Sequence, residues 1–429
     1  MRRGLLGILL AVLTACHADS IYYGVDSPTV EFAHHAWRLG TLRFRSDAFA
    51  YDQPWRIRIA GSLPPTVGID ATTLEVTLPD TTGTFEVFAE DGVRSHPIGS
   101  LTLHGGLVAN RLVPSLDGTA MAWPYGTGTL LYGHRGRLVK VDVSTATETS
   151  VFPDLHYTRY CGAGPWPAGG NDVVIAGEVG GWDAGGFPVA CRARAAAPSG
   201  AVLDSFPGGD AGFFYPTLRL GAGAWLNNSA ESGTRLWSLG ADGSWRSTWS
   251  AVLGEVWRVV APPDGSAAFG VEARALDASL GIFHADRLEA PVLLPFVALS
   301  VAAAFSPSGD TLAVADWNDT LHIVESHTGA VVARALWQGA QGDLAFDYER
   351  PFLYAARPDS HRTGVVVTVY EVPSMRVLTV LRARGRAPAE GYAYVYLAVD
   401  VWRRRLNVLL SDTQPRSGVA AGFSFELTP

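Results

Sequence analysis

Apolar and polar positions in this chain alternate with a period of two, broken at short intervals by tight polar turns. Residues 305–325 show the unit: FSPSGDTLAVADWNDTLHIVE. The turn SPSGD separates two apolar runs, and the charged DWND separates the second run from a third. Successive side chains on a strand point to opposite faces, so runs such as LHIVES (321–326) and VVVTVYEV (365–372) predict strands. No stretch carries the spacing of a convincing amphipathic helix.

The unit recurs. VPSLDGTAMAWPY, VVAPPDGSAAFGVEA, AAFSPSGDTLAVADWN, LAFDYERPFLYAARPD and LAVDVWRRRLNVLLSD each read as strand, turn, strand, with turns near Asp117, Asp264, Gly309, Glu349 and Arg403. Two fainter copies fall around Asn171 and Gly221. The spacing is then about 40–54 residues, the length of a propeller repeat. A second strand pair follows each first pair, as in GRLVKVDVSTATETSVF, TRLWSLGADGSWRSTW and TLHIVESHTGAVVARAL. Each unit is thus a four-stranded antiparallel sheet. The predicted fold class is all-β: a seven-bladed β-propeller preceded by a small β-sandwich-like domain.

The last repeat ends in VAAGFSFELTP, one strand short of four. An incomplete sheet leaves an open edge. IGSLTLH (98–104) alternates and lies directly before the first repeat, so it is predicted to complete the last blade, giving a propeller over 98–429. Residues 21–97 form the small domain, with alternating strands and Pro/Gly/Thr turns over 55–92.

Composition adds three constraints. Hydrophobic residues are 48% and charged residues 17%, which provides a large core and argues against disorder. The net charge is −8 and Lys140 is the only lysine, so nucleic-acid binding is not expected. Arg2 and Arg3 precede the apolar run GLLGILLAVLTA, too short to span a bilayer stably but organised as a secretory signal.

Three resemblances sharpen these expectations. LTAC, ending in Cys16, resembles the lipobox of bacterial lipoproteins, which implies a signal over 1–15, acylation of Cys16 and a tether over 16–20. It also implies membrane attachment through the acyl chains. His17 in place of Asp favours the outer membrane or cell surface. FSPSGDTLAVAD resembles the first strand pair of WD40-like and YVTN-type propeller repeats, and the likeness runs over about 106–429. No repeat carries the Gly-His and Trp-Asp of WD40 proper. Residues 55–92 resemble bacterial immunoglobulin-like modules.

Chemistry is expected on the loops joining second to third strands, where a rigid scaffold gathers polar side chains on one face. The candidates for a ligand-binding face are Trp182, Asp183, Asn227, Glu231, Arg274, Asp277, Asp316, Trp317, Asp319, Arg357, Asp359, Asp412 and Arg416. Aromatic and Arg side chains are good anchors. The bland alternative is a solvated set of turns, with Asp316 capping its own turn and Trp317 packing between blades. Cys161 and Cys191 are a candidate disulfide across the 178–190 loop in an exported protein, with Cys161 opening the first strand of the second repeat and Cys191 on its third. No metal or cofactor is predicted. No G-x-S-x-G elbow, HExxH, Walker loop or EF-hand loop occurs. His34 and His35 are adjacent and would face opposite ways on a strand.

The leading expectation is an envelope-anchored binding or scaffold module for a protein or glycan partner. One alternative is a lactonase-type or glycan-processing propeller enzyme, for which Glu178, Asn227, Asp316 and Asp412 would converge on the axis. The other is a structural subunit of an outer-membrane assembly, which an exposed apolar patch or sheet edge in 21–97 would favour.

Overall fold

The computed structural model describes residues 28–50, 54–114, 120–122, 126–134 and 137–151, chiefly the strands between 163 and 295, and residues 300–427 apart from 317, 340, 386–392 and 413–418. The described chain is all-β, with one short 3-10 turn at Asp47–Ala50. No helix among these residues is long and apolar enough to cross a membrane. The chain divides into two compact units, one essentially residues up to Leu103 and the other from His104 onward.

The first unit contains β1 (His35–Trp37), β2 (Thr41–Arg45), β3 (Arg56–Ile59), β4 (Thr66–Asp70), β5 (Thr73–Thr77), β6 (Gly83–Glu90) and β7 (Ser95–His104). They form two sheets, ordered β1-β7-β6-β3 and β2-β5-β4. Alternate side chains of both sheets meet in one core: Phe44 and Val76 from one, Ile57, Ile59, Val87, Ala89, Leu101 and Leu103 from the other.

The second unit opens with β8 (Leu107–Pro114). Six four-stranded antiparallel sheets follow in chain order: β9 (Met121–Ala122), β10 (Thr129–His134), β11 (Arg137–Asp142), β12 (Thr147–Ser150); β13 (Ala163–Pro165), β14 (Val174–Trp182), β15 (Pro188–Ala196), β16 (Val202–Asp210); β17 (Leu218–Leu220), β18 (Ala224–Ser229), β19 (Gly233–Leu239), β20 (Trp245–Ser250); β21 (Val256–Val260), β22 (Ala267–Glu272), β23 (Leu280–His284), β24 (Val292–Leu293); β25 (Ser300–Phe305), β26 (Thr311–Asp316), β27 (Thr320–Glu325), β28 (Val331–Leu336); β29 (Asp343–Phe346), β30 (Phe352–Pro358), β31 (Gly364–Glu371), β32 (Arg376–Arg384). The seventh sheet is β33 (Ala393–Asp400), β34 (Arg405–Asp412) and β35 (Val419–Glu426), with β8 as its fourth strand.

Burial along one sheet explains the hydrophobic patterning. On β26, Leu312 and Val314 pack toward the fourth sheet, with Ile282 and Leu294. The intervening Ala313 and Ala315 pack toward the sixth, with Leu344, Phe346 and Leu353. Both faces are covered, so the strand is apolar at nearly every position. The outermost strand β28 is covered on one face only, and its residues alternate between half-buried and exposed.

The seventh sheet is packed in the same way between its neighbours. Val395, Leu397 and Val408 join the sixth sheet's Tyr354 and Val367. Tyr396, Ala398, Leu409 and Ala420, with Val113 of β8, join the first sheet's Leu130, Tyr132 and Val139. Backbone bonds stitch this second junction, from Gly128 N–H to the Val399 carbonyl at 3.0 Å and from Val401 N–H to the Gly126 carbonyl at 2.8 Å. Gly128 has φ of +72°, and a Cβ there would lie 2.6 Å from Cβ of Asp400, so the crossing is made at a residue without a side chain.

Two expectations about pairing are corrected. Residues 98–104 do not complete the last sheet. They belong to β7 and pair with β6, Leu101 opposite Phe85 and Leu103 opposite Gly83. The completing strand is β8, with Pro114 opposite Val419 and Leu112 opposite Ala421. The first repeat's inner pair is likewise displaced. Val113 and Pro114 end β8, and the first sheet begins with β9 and β10 around the turn at Gly126–Gly128, not around Asp117. Both segments alternate equally well, and alternation identifies a strand without identifying the strand it pairs with.

Candidate functional site

The expected binding positions that the structure describes in full are Asp316, Asp319, Arg357 and Asp359. Asp316 closes β26 and is buried. Its Oδ1 accepts the backbone N–H groups of Asn318 and Thr320 at 2.8 and 2.9 Å, and its Oδ2 lies 2.9 Å from Nε2 of buried His322. Asp359 occupies the equivalent place after β30. Its Oδ1 accepts Thr363 N–H at 2.8 Å and its Oδ2 accepts the Thr363 hydroxyl at 3.2 Å. Both are Asx-type turns with the same four-residue reach. Asp319 sits at φ of +61°, and its carbonyl accepts Trp337 N–H at 2.7 Å. Nη1 of Arg357 donates to the Pro358 carbonyl at 3.4 Å. These carboxylates hold their own turns.

Trp182 ends β14, Asn227 lies on β18 opposite Arg235, Glu178 on β14 opposite Arg192, and Asp412 ends β34 opposite Ala393. Cys191 is on β15, the third strand of its sheet, opposite Val179. Asp183, Glu231, Arg274, Asp277, Trp317, Arg416, Cys16 and Cys161 lie outside the described residues. Of the fully described candidates, Asp316 and Asp319 share one turn, and Arg357 and Asp359 stand two residues apart at the end of β30.

Removing the Asp316 carboxylate strands two N–H donors and a buried imidazole. Asp316→Ala should therefore cost about 2–3 kcal/mol of stability, measurable by urea denaturation. A variant as stable as wild type would mean that the turn is not held by this side chain.

The opposite strand ends carry the denser chemistry. Asp142, Glu325 and Glu371, each the last residue of a third strand, cap the turn to the fourth through Ser144, Thr328 and Ser374. Where the sixth, seventh and first sheets meet, ion pairs join the turns. Arg404, itself at φ of +48°, donates to Asp347 at 3.1 and 3.2 Å and to Glu349 at 3.2 Å. The Tyr354 hydroxyl donates to Oδ2 of Asp347, the oxygen that also accepts from Arg404 Nη2. Burial pushes the Asp347 carboxyl up, but the hydrogen bonds from Arg404 and Tyr354 outweigh it and hold the group below the usual carboxylate range. Burial, then the Asp347 charge, drives the Tyr354 hydroxyl well above its ordinary value. Arg403 bridges Asp142 of the first sheet at 3.2 Å and Asp400 of the seventh at 3.4 Å. Burial also pushes Asp142 upward, and hydrogen bonds from Ser144 and Arg403 overcome it.

Between Val401 and these two arginines, Trp402 projects from the β33–β34 turn and is 87% exposed. Its neighbours are anchored by ion pairs, so an aromatic ring is presented on a braced turn. This turn joins a first to a second strand, on the side away from the loops where the sequence predicts chemistry, and Trp402 is not among the sequence candidates. The available signal was a Trp in a four-residue turn, VWRR, where polar residues are usual.

Among the described residues, no group of three or more His, Cys, Asp or Glu side chains is placed to hold a metal ion. The sequence matches no protein-family model and no curated protein.

Proposed function

We propose that the seven sheets form a closed seven-bladed β-propeller, that the first unit is a small β-sandwich, and that the protein is an exported lipoprotein anchored through Cys16. On this reading the propeller serves as a binding or scaffold module for a protein or glycan partner in the cell envelope. Support for the ring comes from the chain order of the sheets, from the packing of the fourth on the fifth, the fifth on the sixth and the sixth on the seventh, and from the seventh sheet packing on the first and being completed by β8. The observation that carries the binding role is Trp402, a large aromatic ring held 87% exposed directly before two ion-paired arginines. Soluble domains rarely leave such a ring uncovered, and Trp and Arg dominate the energetics of interfaces.

Trp402→Ala removes no buried contact and should leave the melting temperature unchanged. Recovery of the partner after cross-linking and pull-down from the native envelope should fall at least tenfold, the loss expected for a central aromatic anchor worth roughly 2 kcal/mol. Undiminished recovery would remove Trp402 from the interface. An assembly-subunit role is a second reading, favoured by the apolar edge of β4 in the first unit, which no strand among the described residues covers.

A further inference from the structure

The outer strand of the sixth sheet, β32, carries charge differently at its two ends. At its start, Arg376 is neutralised by Glu371 at 3.1 Å. At its end, Arg382 and Arg384 are exposed. Among the described residues, no carboxylate lies within ion-pair distance of either, nor of Arg357 on β30.

The register of the sheet gathers these three arginines. Arg357 is opposite Val366 on β31, and Val366 is opposite Arg382 on β32. Directly opposed residues share a face of the sheet, so Arg357 and Arg382 stand on one face, two strands and about 10 Å apart. Arg384, two residues further along β32, is on that face about 7 Å from Arg382. It is the face turned toward the fifth sheet, where Leu353 and Ala355 of β30 and Tyr370 of β31 pack against Leu321 and Ile323. Burial pushes the Tyr370 hydroxyl up, and the charge of Arg357 opposes that push, which places the guanidinium on the same side.

Nothing described on either wall of this gap offsets the charge. Asp359, in the adjoining turn, spends both oxygens on Thr363. The facing strand of the fifth sheet, β28, turns Ala333 and Ala335 toward the gap. A chain with a net charge of −8 thus carries a local cluster of positive charge. Like charges on one face repel, and an anion between them removes the repulsion.

The cluster selects its ligand by chemistry and by spread. Guanidinium groups take carboxylate, sulfate and phosphate oxygens in bidentate pairs. Three of them spread over two strands and two residues cover more than one oxyanion, so the ligand carries several charges along its length. Between the arginines the face presents Val366, Thr368 and Val380, all half-buried, and no exposed aromatic ring. A protein partner requires an apolar, aromatic-rich centre, which this face lacks. We propose that the sixth sheet binds a polyanionic glycan on its face toward the fifth, through Arg357, Arg382 and Arg384. This gives the binding module a second surface, independent of Trp402, whose turn lies at the opposite strand ends.

Isothermal titration of the purified full-length chain with a heparin hexasaccharide, at low and at physiological salt, tests the proposal. Maltohexaose and hexaglutamate serve as the neutral and the peptide comparison. Wild type should bind the hexasaccharide in preference to both, with an affinity that falls as salt rises. Arg357→Gln and the double variant Arg382→Gln/Arg384→Gln should each weaken binding about tenfold at low salt, with an unchanged melting temperature. Arg376→Gln, on the same strand but outside the cluster, should bind as wild type does. A wild type that does not bind the hexasaccharide, or binding that survives loss of all three arginines, would overturn the proposal. Hexaglutamate bound as tightly as the hexasaccharide would overturn the glycan assignment and point to an acidic protein segment.

Discussion

Val113→Asp should largely abolish folding of the second unit, whereas Leu112→Asp next to it should be nearly silent. The two residues are neighbours on β8 and face opposite ways. Val113 is 1% exposed, packed among Leu130, Tyr132, Val139 and Ala420 where the seventh sheet meets the first. Leu112 is 47% exposed. A carboxylate at 113 would be buried without a partner, at a cost of several kcal/mol, comparable to the stability of an ordinary domain. At 112 it would remain in water and change stability by roughly 0.5 kcal/mol or less. Soluble yield and the urea midpoint of the two variants read the difference. The contrast is specific to β8 as the strand that completes the seventh sheet. Equal behaviour of the two variants would show that residues 107–114 do not occupy that position.

Asp347→Ala should be the most damaging change among the charged residues. Asp347 is 2% exposed and satisfies both Arg404 and the Tyr354 hydroxyl. Truncation leaves a guanidinium in a largely buried site facing an empty place, and a buried phenol without its acceptor. Breaking a buried pair in this way costs about 3–5 kcal/mol. Tyr354→Phe, which removes one donor and keeps the ion pair, should cost about 1 kcal/mol. The pH dependence has a definite sign. The folded-state carboxyl of Asp347 titrates below its unfolded value, so its contribution is complete above the ordinary carboxylate value of about 4 and is lost as pH falls through the depressed folded value. The gap between wild type and Asp347→Ala should therefore be widest near neutrality and narrow on acidification. A gap that stays constant from neutral to strongly acid pH would mean that the charge of Asp347 is not what holds the junction.

The two results would bear on the same structural fact. The seventh sheet is joined to its neighbours by packing through Val113 on one side and by Arg404 and Asp347 on the other. Opening either junction would expose apolar faces that the seventh sheet and its neighbours otherwise bury. The braced turn that carries Trp402 is part of these junctions.

Strands were legible wherever both faces of a sheet are covered. TLAVAD and LHIVE could be read as β26 and β27 because side-chain polarity follows the pleat residue by residue. The turns near Gly309, Glu349 and Arg403 were legible for the same reason, being short polar gaps between such runs. Asp316 was readable as a turn cap from its place before Asn318 and Thr320. Its bond to His322, six residues on, depended on β26 and β27 lying side by side.

What the sequence by itself determined is thus local: which stretches are strands, how many consecutive sheets they make, and that Asp316 can cap its own turn. These follow from side-chain alternation and turn chemistry within a few residues of chain. What only the tertiary structure decided is which strands meet. It moved the completing strand from 98–104 to 107–114, placed Arg404 against Asp347, 57 residues away, and left β4 with apolar side chains at an edge that no strand among the described residues covers. Pairing and exposure are set by distances between residues remote in the chain, and the alternation of β7 and β8 is equally compatible with either partner. The physical distinction lies in burial: Leu101 and Leu103 fill the core of the first unit, and Val113 fills the seam between the seventh sheet and the first.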